Sequence, residues 1–481
     1  MIKLSSQDLN LLKIIYNSAV KKKLRLFLVG GFLRDYLLGR QKINPDFDFA
    51  IKKGSINFGR KLAREMRAGF VVLDKEHGAC RVVKKSGGKA YTFDFTDFRG
   101  RDLEDDLLHR DFTINTLALD LKDIFSAINI GNFILDPFSA RKDIKSGIIR
   151  VANKKSFDED PLRILRAFSF SALLGFKIEN KTLALAQKER RKLSVVSFER
   201  IRDELFKVFD TKNAYQYLAT LDKLKILEII IPEINLMRGV NQGPYHHLDV
   251  WKHSLETAKQ FERLSKELEN NKDVQDYLRE YLSGDRKRSQ LLKLAAILHD
   301  IGKPKAKRRF GNKIKFHGHE RVGLDIAEGI AKRLKLSRDE INALHKMVLW
   351  HLRPGYLGDF KQPSKRAIFR YFRDTQNEAV AVLLLSVADQ RSTLGRLSTK
   401  KSSIQHEIVC FGLIKEYFRR LKEKKFERLI NGNELMRRFK LNPSVLVGKI
   451  LKEIEELQAI GKVKTKEEAF KAAEKIVKKQ K

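Results

Sequence analysis

Along the first third of the chain, apolar positions recur every second residue in short blocks between turn signals, the pattern of half-buried strands. LRLFLV (Leu24 to Val29) predicts the first strand, and Gly30-Gly31 then turns the chain into a helix over Phe32 to Leu38. FDFAI (Phe47 to Ile51), FVVLD (Phe70 to Asp74), CRVVK (Cys80 to Lys84) and YTFDFTD (Tyr91 to Asp97) predict further strands. From about residue 155 strand signals vanish. A helical period takes over, as in LRILRAFSFSALLGF (Leu162 to Phe176) and VLVGKILKEIEEL (Val445 to Leu457). The charged stretch Lys266 to Arg288 reads as a solvated helix pair or loop. The first residues, MIKLSSQDLNLLKIIYNSAVKKK, predict a polar-faced helix without the apolar block of a signal peptide. The longest apolar stretch, Ala379 to Leu385, falls far short of the roughly 20 residues of a membrane span. A soluble, unexported, cytoplasmic protein with no membrane partner is the expectation.

Composition sharpens this picture. At 481 residues the chain has room for about three domains, and its 42% apolar and 33% charged residues exclude disorder of the whole. Lys and Arg number 98 against 60 Asp and Glu, a net charge of +38, which favours a polyanionic partner and above all nucleic acid. Residues 401–481 alone carry 21 basic and 11 acidic side chains, suited to lining a nucleic-acid path. Cys80 and Cys410 are too few and too far apart for a disulfide framework or a thiolate zinc site. Any metal must therefore use histidines and carboxylates.

Two places carry chemistry. After the first strand, Gly30-Gly31 lets the backbone approach a phosphate, with Arg34 on the first turn of the following helix. Asp46 and Asp48, two residues apart on the next strand, share one face while Phe47 points to the core. Paired carboxylates repel unless a cation sits between them, and hard ions such as Mg²⁺ suit oxygen ligands that leave room for substrate phosphates. Asp94 on a later strand has the same alternation, so the three carboxylates would serve a two-metal phosphoryl or nucleotidyl transfer.

LVGGFLRDYLLGR (Leu28 to Arg40) followed by PDFDFA (Pro45 to Ala50) resembles the head of the class II tRNA nucleotidyltransferase and bacterial poly(A) polymerase family. LEDDLLHRDFTINTLALD (Leu103 to Asp120) resembles its second motif, which implies that Arg110, Asp111 and Asn115 support the nucleotide sugar and phosphates; His109 stands where a second arginine is common. ILDPFSARKDIKSGIIRV (Ile134 to Val151) resembles the segment joining head to neck. Glu159-Asp160-Pro161-Leu162-Arg163 matches the family's EDxxR pattern, which implies that Asp160 and Arg163 hydrogen-bond the base edge of CTP or ATP. Ser197 to Ile201 with Glu204 resembles a supporting element of the neck, and Leu429 to Ala473 resembles the C-terminal helical segment.

Eight of the eleven histidines fall between His246 and His351. His253 lies on a predicted helix, and His299-Asp300 ends another. With HGHE (His317 to Glu320), HKMVLWH (His345 to His351) and Asp389, the series resembles the HD phosphohydrolase domain. That resemblance implies His253, His299, Asp300 and Asp389 as ligands of a first metal, and His319 and His351 as ligands of a second or as phosphate contacts. Mn, Ni, Co, Fe and Zn all suit such a nitrogen-rich set. His345 is a weaker candidate, and His246, His247 and His317 read as surface or supporting residues.

The expectation is a multidomain α/β plus all-α enzyme. A nucleotidyltransferase head with a mixed β-sheet fills 1–150, a helical neck 151–235, an HD body 236–395 and a basic helical tail 396–481. Asp46, Asp48 and Asp94 would be catalytic, with Gly30, Gly31, Arg34, Arg110, Asp111, Asn115, Asp160 and Arg163 binding nucleotide. The expected reaction is template-independent addition of CCA, or part of it, to tRNA 3′ ends from CTP and ATP. Poly(A) synthesis, CC-only or A-only addition, an HD phosphohydrolase with a nucleotide-binding head, and a non-catalytic tRNA-binding factor stay open at this point.

Overall fold

The alternation in the first third does form a sheet. In the computed structural model, which describes residues 4–40, 46–126, 129–311, 313–359, 362–423 and 427–478, six strands are joined. They are β1 (Leu26–Val29), β2 (Asp46–Ile51), β3 (Gly69–Asp74), β4 (Ala79–Ser86), β5 (Lys89–Asp97) and β6 (Ala118–Asp120), in the order β3-β4-β5-β2-β1-β6. Pairing is antiparallel except between β2 and β5, so the sheet is mixed. Pro45 of the PDFDFA segment and the first three residues lie outside the described residues.

The parallel pair explains the placement of the acids. Phe47 lies opposite Phe93 and Phe49 opposite Phe95, and both pairs stack with ring centroids 5.7 Å and 5.0 Å apart. Helix Ser55–Met66 packs on that face, with Phe58 set edge-on against Phe95. With one face committed to aromatic burial, period two sends Asp46, Asp48 and Asp94 to the other, where Asp48 and Asp94 are register partners.

Contacts divide the chain into two units, Met1–Val208 with Leu224–Ile230, and Phe209–Lys223 with Ile231–Lys481. The first holds the sheet and helices Arg163–Leu174 and Asn180–Glu189. Two expected boundaries shift there. β1 starts at Leu26, not Leu24, because Lys23 takes a positive φ of 54° and the Leu24 amide donates to the Ala19 carbonyl, closing the helix Ser6–Lys21. The helix expected from Leu162 to Phe176 ends at Leu174, where Gly175 adopts φ 74°.

The second unit is built from helices Val250–Glu267, Arg288–Leu298, His319–Arg333, Arg338–Trp350, Ala379–Ser392 and Lys400–Lys422, with shorter ones between. Helices 288–298 and 379–392 are central and buried along most of their length. Among the described residues, no helix is long and apolar enough to cross a membrane. The expectation that strands vanish after residue 155 needs correction. Hairpins pair 281–283 with 286–287 and 308–310 with 313–315, and Ile148–Ile149 pairs in parallel with Lys177–Ile178. These strands are only two or three residues long, too short for an alternation to announce them. Likewise, Lys266 to Arg288 resolves into one helix, Lys272–Arg279, and the first of those hairpins.

Helices Gly432–Phe439, Val445–Ala459 and Lys466–Lys478 surround a small core of their own, including Leu435, Ile450, Ile454, Ala469 and Ala473. Buried Glu456 on the middle helix accepts from Arg366 at 2.6 Å and Arg370 at 2.8 Å.

Candidate active site

At the end of β1 the chain makes a turn available only to glycine, with Gly30 at φ 74° and ψ −133°, before helix Gly31–Leu37 begins. A Cβ at Gly30 would stand 3.1 Å from Arg110 Nη1 and 3.5 Å from Asp48 Oδ2. Backbone, guanidinium and carboxylate thus converge at one point. They open on a cleft of about 430 Å³. Of the eleven residues expected to act in the head and neck, ten line this cleft: Gly30, Gly31, Arg34, Asp48, Asp94, Arg110, Asp111, Asn115, Asp160 and Arg163. Asp46 lies on the same face of β2 as Asp48, at the exposed start of the strand.

A polar chain stiffens the floor. Arg34 Nη1 donates to Asn115 Oδ1 at 2.9 Å, and Asn115 Nδ2 donates to Asp111 Oδ1 at 2.9 Å. Arg166 grips the other oxygen of Asp111 through Nε and Nη2, at 3.0 Å and 2.7 Å. Burial opposes ionisation of Asp111, but the Arg166 charge and these hydrogen bonds hold its carboxyl down at about 2. The Phe170 ring faces two guanidiniums, those of Arg34 at 5.1 Å and Arg166 at 5.0 Å. Sequence reasoning passed over Arg166 and Phe170. Their signal was spacing, since 163, 166 and 170 fall on one face of a helix.

Three expected residues have further partners. Asp94 is held by Arg81, its register partner on β4, through two bonds of 2.8 Å. Among the described residues, the three head carboxylates do not form a group with all ligand atoms within 4.8 Å of one another. Arg163 is buried and donates to the carbonyl of His109 at 2.7 Å, that of Ser156 at 3.2 Å and Glu159 Oε2 at 3.1 Å. Asp160 accepts from Arg200 at 2.8 Å and from the Leu162 amide at 3.2 Å, which starts the helix. Arg163 therefore braces the 109–110 turn while lining the cleft.

The second unit assembles the histidine series. Helix 250–267 carries His253, helices 288–298 and 338–350 end at His299 and His351, helix 319–333 starts at His319, and helix 379–392 carries Asp389. In His299, His319 and His351, Nδ1 bonds the carbonyl three residues back, at 2.9, 2.8 and 2.6 Å. That bond fixes each ring and turns Nε2 inward. His253, His299 and Asp389 form one metal-capable group, and Asp300, His319 and His351 a second. The four-residue first set implied by the HD resemblance is thus divided, with Asp300 facing both groups. Asp300 Oδ2 lies 3.2 Å from His299 Nε2, and Oδ1 lies 3.2 Å from His319 Nε2.

The donors fit a metal. His299 Nε2 and both Asp300 oxygens are buried without a well-formed hydrogen bond, although Lys303 Nζ stands 2.6 Å from Asp300 Oδ2 at ion-pair distance. Burial works against a charge on His299, yet the Asp300 and Asp389 carboxylates raise it to about 10. His351 goes the other way, pushed down to about 3 by burial and by the neighbouring His299 and His319. His246, pushed to about 3 by burial and Lys303, stacks edge-on against His253 at 4.8 Å. His345 is elsewhere, 3.2 Å from Glu328, and His247 and His317 are exposed. Lys303 and its partner Gln242, at 2.6 Å, were not anticipated; the three-residue step from Asp300 to Lys303 was the available signal.

Comparison with known proteins gives three matches along the chain. Residues 26–150 match the poly A polymerase head domain, 175–237 the probable RNA and SrmB-binding site of polymerase A, and 250–394 the HD domain. The A-adding tRNA nucleotidyltransferase of Deinococcus radiodurans is 30% identical over 92% of this chain and 93% of its own. The CC-adding tRNA nucleotidyltransferase of Thermus thermophilus is 28% identical over 92% of each. The solved Thermotoga maritima CCA-adding enzyme complexed with tRNA shares the fold, with a TM-score of 0.62 at 22% identity over 99% of this chain and 97% of its own. With its glycine turn, paired strand carboxylates and matching relatives along nearly the whole length, this chain belongs to the tRNA nucleotidyltransferase and poly(A) polymerase family of nucleotidyl-transferring enzymes.

Proposed function

We propose that this chain adds all or part of the CCA sequence to tRNA 3′ ends, using CTP and ATP. The observation that carries the reading is the single cleft in which Asp48 meets the Gly30 turn, Arg110 and the Asp111–Arg166 framework. The turn and the first amides of helix 31–37 would take the triphosphate, with Arg110 and Arg34 balancing its charge. Asp46 and Asp48 would hold Mg²⁺, which when bound supplies charge stabilisation to the attacking and leaving oxygens. The terminal 3′-oxygen bonds to the α-phosphorus and pyrophosphate leaves. Asp94, held by Arg81 and in register with Asp48, would lie where the hydroxyl proton departs. Asp160 and Arg163, which line the same cleft, would read the base edge.

The relatives that match over nearly their whole length are named for A addition and for CC addition, and one from Hahella chejuensis, covering 64% of this chain, is named a multifunctional CCA protein. Incubation with tRNA lacking its 3′ terminus, Mg²⁺, and CTP and ATP singly or together separates these cases by product length. Three added nucleotides mean CCA synthesis, CC alone or A on a CC end mean a partial enzyme, and a long A tract overturns the reading.

A second activity rests on the buried histidine cluster, whose nitrogen-rich donors suit Mn, Ni, Co, Fe or Zn. We infer a phosphohydrolase there. Protein that binds no transition metal and cleaves no phosphoester with Mn²⁺, Ni²⁺ or Co²⁺ supplied would overturn it.

A further inference from the structure

Residues 303–315, KPKAKRRFGNKIK, hold seven basic side chains and no acidic one. Within them Arg308–Phe310 pairs in antiparallel with Lys313–Lys315, after the short helix Lys303–Ala306. The strand register sets Arg308 opposite Lys315, a like-charge pair that costs stability unless something negative lies across it. Among the described residues, no carboxylate pairs with Lys305, Lys307, Arg308, Arg309 or Lys315. Arg308 and Arg309 donate only to backbone carbonyls of their own segment, those of Lys305, Lys307 and Gly311. At the tip, Phe310 is 58% exposed with Lys315 Nζ 5.6 Å from its ring. Basic side chains interleaved with an exposed ring suit single-stranded nucleic acid, whose phosphates pair with the charges while a base stacks on the ring.

Both ends of this hairpin are tied to the histidine cluster. Before it, Lys303 contacts Asp300 at 2.6 Å. After it, the carbonyl of Phe316 takes the bond that orients His319, and Lys303 Nζ lies 5.8 Å from the Phe316 ring. Gly302 fixes the spacing, since a Cβ there would fall 2.1 Å from the His319 carbonyl. Lys315 and His319 are four residue steps apart, a reach of at most about 14 Å, so the arm is held beside the cluster.

We propose that the paired strands Arg308–Phe310 and Lys313–Lys315 form an RNA-binding arm that delivers a phosphate-bearing RNA 3′ end to the histidine cluster. The inference rests on the phosphohydrolase reading and names its substrate class as polynucleotide ends. Water oxygen bonds to the terminal phosphorus, the bond from phosphorus to the ribose oxygen breaks, and that oxygen takes a proton. The products are inorganic phosphate and the free 3′-hydroxyl that nucleotide addition needs.

The test uses the full chain carrying Arg308→Ala with Arg309→Ala, and separately Phe310→Ala. With Mn²⁺, Ni²⁺ or Co²⁺ supplied, KM for 3′-phosphorylated tRNA should rise about tenfold while p-nitrophenyl phosphate is cleaved as by the parent protein. Loss of two phosphate contacts should flatten the slope of log affinity against log salt by about 1.4. An unchanged KM for the RNA overturns the proposal. So does an equal loss of CTP and ATP addition to 3′-hydroxyl tRNA, which would assign the arm to the other reaction. If the parent cleaves neither substrate, the phosphohydrolase reading alone has failed; a photo-crosslinking residue in place of Phe310 then decides, capture of the RNA 3′ end upholding the contact and its absence overturning it.

Discussion

Replacing Gly30 by alanine tests the cleft at its narrowest point. At φ 74° and ψ −133° a side chain is strained wherever it sits, at roughly 1–3 kcal/mol. The new methyl carbon would also lie 3.1 Å from Arg110 Nη1, closer than ordinary van der Waals contact, and 3.5 Å from Asp48 Oδ2. Strain can be relieved only by turning the backbone, which moves the amides of helix 31–37 away from the phosphates, or by displacing Arg110. Either route is paid at the transition state, so kcat/KM for CTP and ATP should fall by roughly 5- to 150-fold. Gly39→Ala is the control, because Gly39 has φ 69° but nothing within 4 Å of a built Cβ. The assay is steady-state addition to tRNA lacking its 3′ terminus, with kcat and KM for each nucleotide measured on both variants. Gly30→Ala within twofold of the parent, or an equal loss in Gly39→Ala, would refute the reasoning.

Asp48→Ala should abolish incorporation of CTP and ATP alike while tRNA still binds in a gel-shift assay; measurable turnover of either nucleotide would remove Asp48 from the reaction. Asp111, held at about 2 instead of the usual 3.8, adds roughly 2–3 kcal/mol that is fully present above pH 4 and lost as pH falls through 2. Asp111→Asn should therefore lower hydrogen-exchange protection of residues 111–116 at pH 7 and flatten its decline between pH 4 and 2. Asp160→Ala should weaken discrimination among the four NTPs, and Arg163→Ala should in addition loosen the 109–110 turn by leaving buried carbonyls without donors. An unchanged ranking of NTPs in both variants would confine Glu159 to Arg163 to bracing. His299→Ala should strip transition metal from protein grown with Mn²⁺, Ni²⁺ or Co²⁺, measured by elemental analysis, whereas Asp48→Ala should leave that content intact.

Strands β2 and β5 were readable because each alternates aromatic and acidic residues, a pattern set by local period alone. The Arg81–Asp94 pair was not readable, because it depends on how β4 registers against β5, which separates partners by thirteen residues. The histidine series was visible as clustering, yet the division of Asp300 between two groups follows from helix ends meeting in space. Arg163 shows the same limit. Its place in the EDxxR pattern marked it, while its bonds to the carbonyls of His109 and Ser156 come from a turn more than fifty residues earlier and a serine seven residues back. The basic hairpin hid for another reason: strands three residues long, each with a single apolar residue, are too short to carry a hydrophobic period.

The stacked phenylalanines of β2 and β5 make alignment of the acids an all-or-none outcome. A slip of one residue would put Asp46 and Asp48 into the apolar interior and expose Phe47 and Phe49, at a cost no folded head could absorb. Correct spacing of the carboxylates is thus inherited from the core and proofread during folding, before any nucleotide arrives. Drift at Phe47, Phe49, Phe93 or Phe95 during evolution should consequently be felt as lost catalysis even where the protein still folds, which makes these rings silent custodians of a reaction they never touch.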